Sequence, residues 1–344
     1  MRSICYTAPG YDMYDLPKPV MKYSDDVIVS IAYCGICGSD INVIRGYEDE
    51  NIDGIKPGQK YQLGHEASAY VEEVGPDAKA KGLKVGDKVV LYYNQHCGKC
   101  YHCRNGQEQF CDNMRARCGF FSDYYALNEQ QVYKMPPDTN MAAAALMEPL
   151  TVVLRGAEML QMKPGAKVAV SGGGGIGLLF VQVLRNLGGA KITVLEPVES
   201  KRQMALKYGA DFAIDPLKEN VKEITKDITG GFGFDCVVEC SGIPAAIQTA
   251  YDIGGRGSAL ELFACYPKGA EYKVSLDSFF TKEVRMLSVF QSPYMYPRAL
   301  EMFKRIDPEP FLRHIYDADD WKKAFEYRMT GEPQKVMIRF AGDR

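Results

Sequence analysis

Ser171-Gly172-Gly173-Gly174-Gly175-Ile176-Gly177 joins a short apolar run, residues 167–171, to an apolar stretch with helical spacing, residues 178–187. Few folds use a strand that turns through glycines straight into a helix, because only residues without a Cβ let the chain reverse so tightly. Gly172, Gly174 and Gly177 fit G-x-G-x-x-G. In that pattern the first glycine permits the turn, the second lets backbone approach a pyrophosphate, and the third lets the helix pack on the strand. Gly175 and Ile176 complete the turn. A phosphate seated there meets free N–H groups and the positive end of a helix dipole. The next strand, residues 191–195, ends at Glu196, close to the ~20 residues expected before a ribose-binding acid. A carboxylate at that place accepts both ribose hydroxyls and repels a 2′-phosphate, which favours NAD over NADP. Lys201 and Arg202 follow as cations that could receive such a phosphate. For Arg202 the reading is an ordinary solvated helix face.

The alternation continues with a helical stretch at 199–208, an apolar strand at 234–239, a helix opened by Pro244, and strands at 257–263 and 284–289. Strand, helix, strand at this rhythm is a doubly wound parallel sheet. The chain before it is different. Strand candidates at 27–33, 69–74 and 88–93 are separated by turn signals such as Gly75-Pro76-Asp77 and Val85-Gly86-Asp87, so this part reads as β-rich. The expected organisation is therefore α/β, with a β-rich domain over 1–149, a parallel-sheet domain over 150–289, and a return of 290–344 to the first domain. A length of 344 residues suits two domains. A net charge of −3 leaves no basic excess to hold a phosphate backbone, so nucleic acid is not an expected partner. The longest apolar run, 141–147, ends at Glu148 and is far short of a membrane span. The first residues lack the apolar stretch of a signal peptide, and the expected location is the cytoplasm.

Eleven cysteines in such a chain point to metal or redox chemistry rather than to a disulfide framework. Cys97, Cys100, Cys103 and Cys111 are spaced C-x2-C-x2-C-x7-C. Pairs two residues apart converge on one ion, and four thiolates close a tetrahedral zinc shell with no place for substrate, so this site is expected to be structural. His96 and His102 in the same loop are expected at the surface, because the sulfurs already fill the shell. A second set is scattered: Cys37 in Cys34-Gly-Ile-Cys37-Gly-Ser39-Asp40, then Gly64-His65-Glu66, then Glu148-Pro149-Leu150. Together these offer one thiolate, one imidazole and one or two carboxylates. Zinc accepts such a mixture, and three protein ligands leave a position open for water or substrate.

The order of these motifs resembles that of the zinc-dependent medium-chain dehydrogenases, especially the sorbitol (polyol) and L-threonine dehydrogenase branch. The likeness runs along essentially the whole chain, down to Lys335-Val336-Met337-Ile338. It implies a GroES-like β-rich catalytic domain beside a Rossmann domain, and a homo-oligomer, a tetramer or a dimer. It implies that Cys37, His65 and Glu66 are catalytic-zinc ligands, and that Glu148 meets the metal directly or through its bound water. Ser39 matches a hydroxyl that hands the substrate proton outward, and Lys201 a residue that contacts the adenosine ribose. Cys34 has no matching role and is read as structural. The chain departs from its relatives at Asn42 and Arg155, where histidine is frequent. Asparagine takes up no proton near neutral pH. Phe120, Phe121, Phe290 and Gln291 align with pocket positions of polyol dehydrogenases, and Gln291 stands where many of those enzymes carry arginine. The acidic run Glu48-Asp49-Glu50 is read as a solvated loop.

The expected reaction is hydride transfer between NAD(H) and a secondary alcohol or ketone of a polyol, sugar or cyclitol-like substrate. The alternatives are L-threonine 3-dehydrogenase, a vicinal-diol dehydrogenase, a zinc-free quinone reductase and, in a different class, a zinc-ribbon binding module.

Overall fold

The computed structural model describes residues 1–7, 10–45, 58–116, 118–189 and 191–344. The acidic run at 48–50 lies outside them. The chain divides into two compact units, Met1–Pro149 with Phe311–Arg344, and Leu150–Pro310. No helix among the described residues is long and apolar enough to cross a membrane.

In the first unit, strand Asp26–Gly35 is buried along its whole length. It lies between neighbours on both sides. Glu66–Val74 pairs with it antiparallel on one edge, while Met337–Arg339 and Tyr124–Asn128 pair with it on the other. The C-terminal tail thus enters this sheet as an internal strand, with Ile315–Asp317 outside it. The apolar residues Val27, Val29 and Ile31 pack with Ala69, Val71 and Val89 and with Trp321 and Phe325 from the tail. The register matters most at one end. Gly35 pairs with Glu66 on one side and with Met337 on the other, so Cys37, His65 and Lys335 all lie within two residues of a single rung.

The second unit is a six-stranded parallel sheet. Across it the order is Phe212–Ile214, Lys191–Leu195, Lys167–Ser171, Phe234–Glu239, Gly254–Leu262 and Arg285–Ser288. Helices Gly175–Asn186, Glu199–Lys207, Val221–Thr229 and Pro244–Ile253 connect successive strands. The short β-branched runs become strands because both faces of the sheet are covered. Ile192, Val194, Val168, Val170 and Val238 are wholly or almost wholly buried.

The sequence placed the return to the first unit at residue 290, whereas residues 290–310 pack with the second. Buried and half-buried polar bonds hold them there. Thr151 Oγ1 donates to Ser292 Oγ at 2.7 Å, and Arg155 Nη1 to the Gln291 carbonyl at 2.9 Å. The amide of Gln182 bonds both the N–H and the carbonyl of Asp307. Helix Tyr296–Phe303 adds apolar weight by burying Tyr296, Ala299 and Met302.

One buried group in this unit stores a pH dependence. Glu261 is fully buried on strand Gly254–Leu262, and neither carboxylate oxygen has a hydrogen-bond partner among the described residues. Gly156 on the facing helix leaves it room, since a Cβ there would come within 2.5 Å of Oε1. Burial pushes the carboxyl up to about 8, against the pull of Arg155. An unfolded chain releases this proton near ~4.3. Between those values the folded state binds the extra proton, so stability falls as pH rises, by at most ~1.4 kcal/mol per pH unit. Glu261→Gln is therefore expected to gain in Tm over the unaltered chain at about pH 8 relative to about pH 5. A Tm difference that is the same at both pH values in scanning calorimetry would contradict this.

Candidate functional site

The rung Gly35–Glu66 builds the first site. Beyond Gly35 the chain turns at Cys37, which precedes helix Gly38–Ile44. The backbone N–H of Cys37 donates to Asp40 Oδ2 at 2.9 Å, and that of Gly64 to Asp40 Oδ1 at 3.2 Å. One buried carboxylate thereby ties the loop carrying Cys37 to the loop carrying His65. Asp40 Oδ1 also stands 3.6 Å from His65 Nδ1. The sulfur of Cys37, a ring nitrogen of His65 and a carboxylate oxygen of Glu66 lie within 4.8 Å of one another. Glu66 is buried and ion-paired with Lys335, itself nearly buried. Gly35 has to be glycine, because a Cβ there would overlap the Glu66 carboxylate and Lys335 Cε. Burial opposes charge on His65, but Asp40 and Cys37 outweigh it and hold the imidazole well above its ordinary pKa.

Glu148 stands outside this set of three. It is buried close to it, and burial pushes its carboxyl up to about 7, with His65 and Lys335 opposing and Glu66 adding to the rise. Ser39 and Asn42 both belong to helix Gly38–Ile44 and are half-buried. Cys34 is fully buried on its strand, and burial raises its thiol well above the usual range, which fits the structural reading. Phe120 and Phe121 were expected in a pocket. Both are instead fully buried in the core of the first unit, Phe121 edge-on to Phe325 at 5.5 Å and Phe120 to Tyr125 at 5.2 Å. Sequence reading passed over Asp40 and Lys335. It also passed over Tyr93, whose ring meets that of His65 at 5.3 Å. Asp40 follows Ser39 directly, and a carboxylate three residues after a helix-capping position was the available signal.

The second cluster is Cys97, Cys100, Cys103 and Cys111, whose four sulfurs lie within 4.8 Å of one another. Backbone N–H groups of Lys99 and Cys100 lower the Cys97 thiol to about 6, while burial pushes Cys103 up to about 12. This donor set suits a closed zinc shell, and the Cys37 set suits an open one. His96 departs from its expected place at the surface: Nε2 is 2.7 Å from the carboxylate of Glu108, which is buried at 3% side-chain exposure. A buried carboxylate needs a partner, and His96 supplies it. His102 is half-buried, with Nδ1 3.3 Å from Gln107 Oε1.

In the second unit Gly172 has φ +103°, a region that favours glycine, and its N–H donates to the Leu195 carbonyl at 2.8 Å. A Cβ on Gly177 would overlap the Gly172 carbonyl, so helix Gly175–Asn186 packs directly on the turn. A Cβ on Gly174 would meet nothing within 4 Å, and no side-chain hydrogen bond caps the N-terminus of this helix, where Gly175 and Ile176 stand. The turn suits a pyrophosphate. Glu196 is buried, with Oε2 accepting from the Gly173 N–H at 2.7 Å and Oε1 from Val198 N–H at 2.9 Å. Glu239, at the end of the neighbouring strand, accepts from Ser241 N–H at 2.9 Å and from the hydroxyls of Ser241 and Tyr266. Arg202 is no solvated residue: its side chain is only 12% exposed and bonds the ends of two strands.

Residues 23–137 match the alcohol dehydrogenase GroES-like domain, and residues 175–305 the zinc-binding dehydrogenase domain. L-threonine 3-dehydrogenase of Pyrococcus horikoshii is 31% identical over 98% of each chain. The chain belongs to the zinc-binding alcohol dehydrogenase family. Sorbitol dehydrogenase of Halalkalibacterium halodurans is 29% identical over 98% of this chain and 99% of its own. A solved structure from Clostridium scindens, assigned as a zinc-binding dehydrogenase, superposes with a TM-score of 0.93 at 31% identity, covering 98% of this chain and 99% of the other. The protein is thus an oxidoreductase of the alcohol and polyol dehydrogenase type, with a GroES-like unit and a Rossmann unit.

Because Asp40 orients His65 and joins both loops, Asp40→Ala is expected to weaken metal binding at the Cys37 cluster by ~10–100-fold. The four-cysteine cluster should keep its metal. Competition with a chelating dye measures this, and unchanged retention of all metal would remove Asp40 from that role.

Proposed function

We propose that the chain transfers hydride between NAD(H) and a secondary alcohol or ketone of a polyol, sugar or cyclitol-like substrate. The observation that carries this is the convergence of Cys37, His65 and Glu66 donor atoms on one small volume, in a chain that also carries a complete glycine turn with a ribose acid. In this reading those three residues hold a catalytic zinc, and Cys97, Cys100, Cys103 and Cys111 hold a structural one. The catalytic zinc, when bound, supplies Lewis acidity to the substrate oxygen.

The chain's own residues supply the rest. Asp40 fixes the imidazole of His65, and Lys335 holds the Glu66 carboxylate in place beside the Cys37 and His65 donor atoms. Ser39 passes the substrate proton outward. Glu148 holds a proton at its carboxylate, in place of the base that Asn42 cannot be. Gly172, Gly174, Gly175, Ile176 and Gly177 seat the pyrophosphate, and Glu196 and Lys201 take the adenosine ribose. Glu196 keeps lone pairs for both ribose hydroxyls even with its two backbone bonds. That supports NAD over NADP. A homo-oligomer working in the cytoplasm completes the reading.

L-threonine is the second substrate class, favoured by the identity to the Pyrococcus enzyme. Asn42, which cannot act as a histidine does, weighs toward polyols. An NAD-coupled screen over sugars, cyclitols, polyols, amino alcohols and small diols decides between them. Turnover of L-threonine alone would overturn the polyol reading. Glu148→Gln should keep the zinc and lower turnover by ~10²–10⁴, as loss of an acid–base group does. Turnover close to that of the unaltered enzyme, with zinc still bound, would leave Glu148 a packing residue.

A further inference from the structure

The ribose acid Glu196 has a cation beside it that does not point at it. Arg202 lies in helix Glu199–Lys207 and turns its guanidinium under the strand ends. Nη1 donates to the carbonyls of Glu196 at 2.7 Å and Pro197 at 2.8 Å, and stands 3.2 Å from Asp215 Oδ2. Nη2 pairs with the carboxylate of Glu199. Asp215 follows strand Phe212–Ile214 directly, and its carboxylate is only 4% exposed. It also receives the Leu217 N–H at 3.0 Å, and Lys218 lies 3.6 Å away on the open side. The N–H of Glu196 meanwhile donates to the Ile214 carbonyl at 3.0 Å. Glu196 is therefore held at both ends of its backbone, and Arg202 is one of the clamps.

We propose that Arg202 is a specificity-determining residue of the coenzyme site, and that NAD selectivity depends on Asp215 and Glu199 keeping its guanidinium away from the 2′ position. The proposal rests on the NAD reading of Glu196. Two effects follow from one geometry. The first is order: with its carbonyl anchored and its carboxylate bonded to Gly173 and Val198, Glu196 presents its remaining lone pairs in one direction. The second is charge. A guanidinium this close to the ribose acid is the group best suited to a 2′-phosphate, because it bonds phosphate oxygens in a fixed fork. Here Nη1 and Nη2 are engaged by two carbonyls and two carboxylates, which hold the fork on protein acceptors and offset its charge. A residue poised to reverse coenzyme preference is held in the opposite role by its anchors. Arg202 acts through Glu196 and is a positioning residue as long as those anchors hold.

The test uses the intact enzyme with kcat and KM for NAD and for NADP, and binding of adenosine 2′,5′-bisphosphate and of ADP as probes. In the unaltered enzyme the NADP:NAD ratio of kcat/KM tests the reading of Glu196 as the ribose acid, and a ratio above one overturns that NAD reading. The change in that ratio reports on Arg202. Glu199→Gln with Asp215→Asn should raise it by ~10-fold or more, the size of one new charge-assisted bond. The gain should lie in KM for NADP and in tighter binding of the 2′,5′-bisphosphate, and adding Arg202→Met should abolish it. Where the double variant fails to fold, Glu199→Gln alone tests the same point, since that anchor is 64% exposed. An unchanged ratio in a folded variant overturns the proposal. So does an Arg202→Met single variant that loses relative use of NADP, because Arg202 would then already serve the 2′-phosphate.

Discussion

The pairing of Gly35 with Glu66 is the contact on which the first unit's chemistry depends. Because side chains alternate along a strand, a shift by one residue at this end of the pair would send Glu66 to the other face of the sheet. The register is held by burial along Asp26–Gly35 and by the strand Met337–Arg339 on its far edge. Because Gly35 has no side chain, the Glu66 carboxylate and Lys335 can meet across the backbone. The loops bearing Cys37 and His65 leave from adjacent strand ends, and Asp40 bonds both. Three segments far apart in the chain thereby deliver side chains to one volume.

The second unit uses a different device. Its strand ends carry buried carboxylates, and each is satisfied in its own way. Glu196 is bonded by backbone N–H groups, Glu239 by hydroxyls and a backbone N–H, and Asp215 by Arg202 and a backbone N–H. Buried carboxylates are costly unless so matched, and matched they fix the loops that bear them. The glycine turn is thus shaped by more than its glycines: Gly173 is held by Glu196, and the Ser171 hydroxyl lies 3.5 Å from Glu239 Oε1. Glu261, whose carboxylate oxygens have no hydrogen-bond partner among the described residues, is the exception, and burial pushes its carboxyl up to about 8.

Much of this was legible in the chain because local pattern and local chemistry coincide there. Strands Lys167–Ser171, Lys191–Leu195 and Phe234–Glu239 are short apolar runs bounded by turn residues, and they form with those ends. The four cysteines lie within one loop, so spacing alone implies convergence. Cys37, His65 and Glu66 were legible as a set through resemblance, since nothing in their separation says that they meet. Phe120 and Phe121 were misplaced because an aromatic residue reads alike in a core and in a pocket. Arg202 was misplaced because helical position suggested solvent, while its guanidinium reaches inward to carbonyls that no local pattern reveals.

The sequence by itself determined the alternation of strand and helix, the glycine turn with its acid, and the cysteine lobe. Each is encoded in side-chain period or in spacing over fewer than about 20 residues. Tertiary structure decided which groups stand beside which. The tail enters as an inner strand and brings Lys335 to Glu66, residues 290–310 stay with the parallel sheet through Ser292 and Asp307, and Arg202 is drawn to Asp215. These are long-range pairings between polar groups, most of them buried, and no local pattern in the chain picks out their partners.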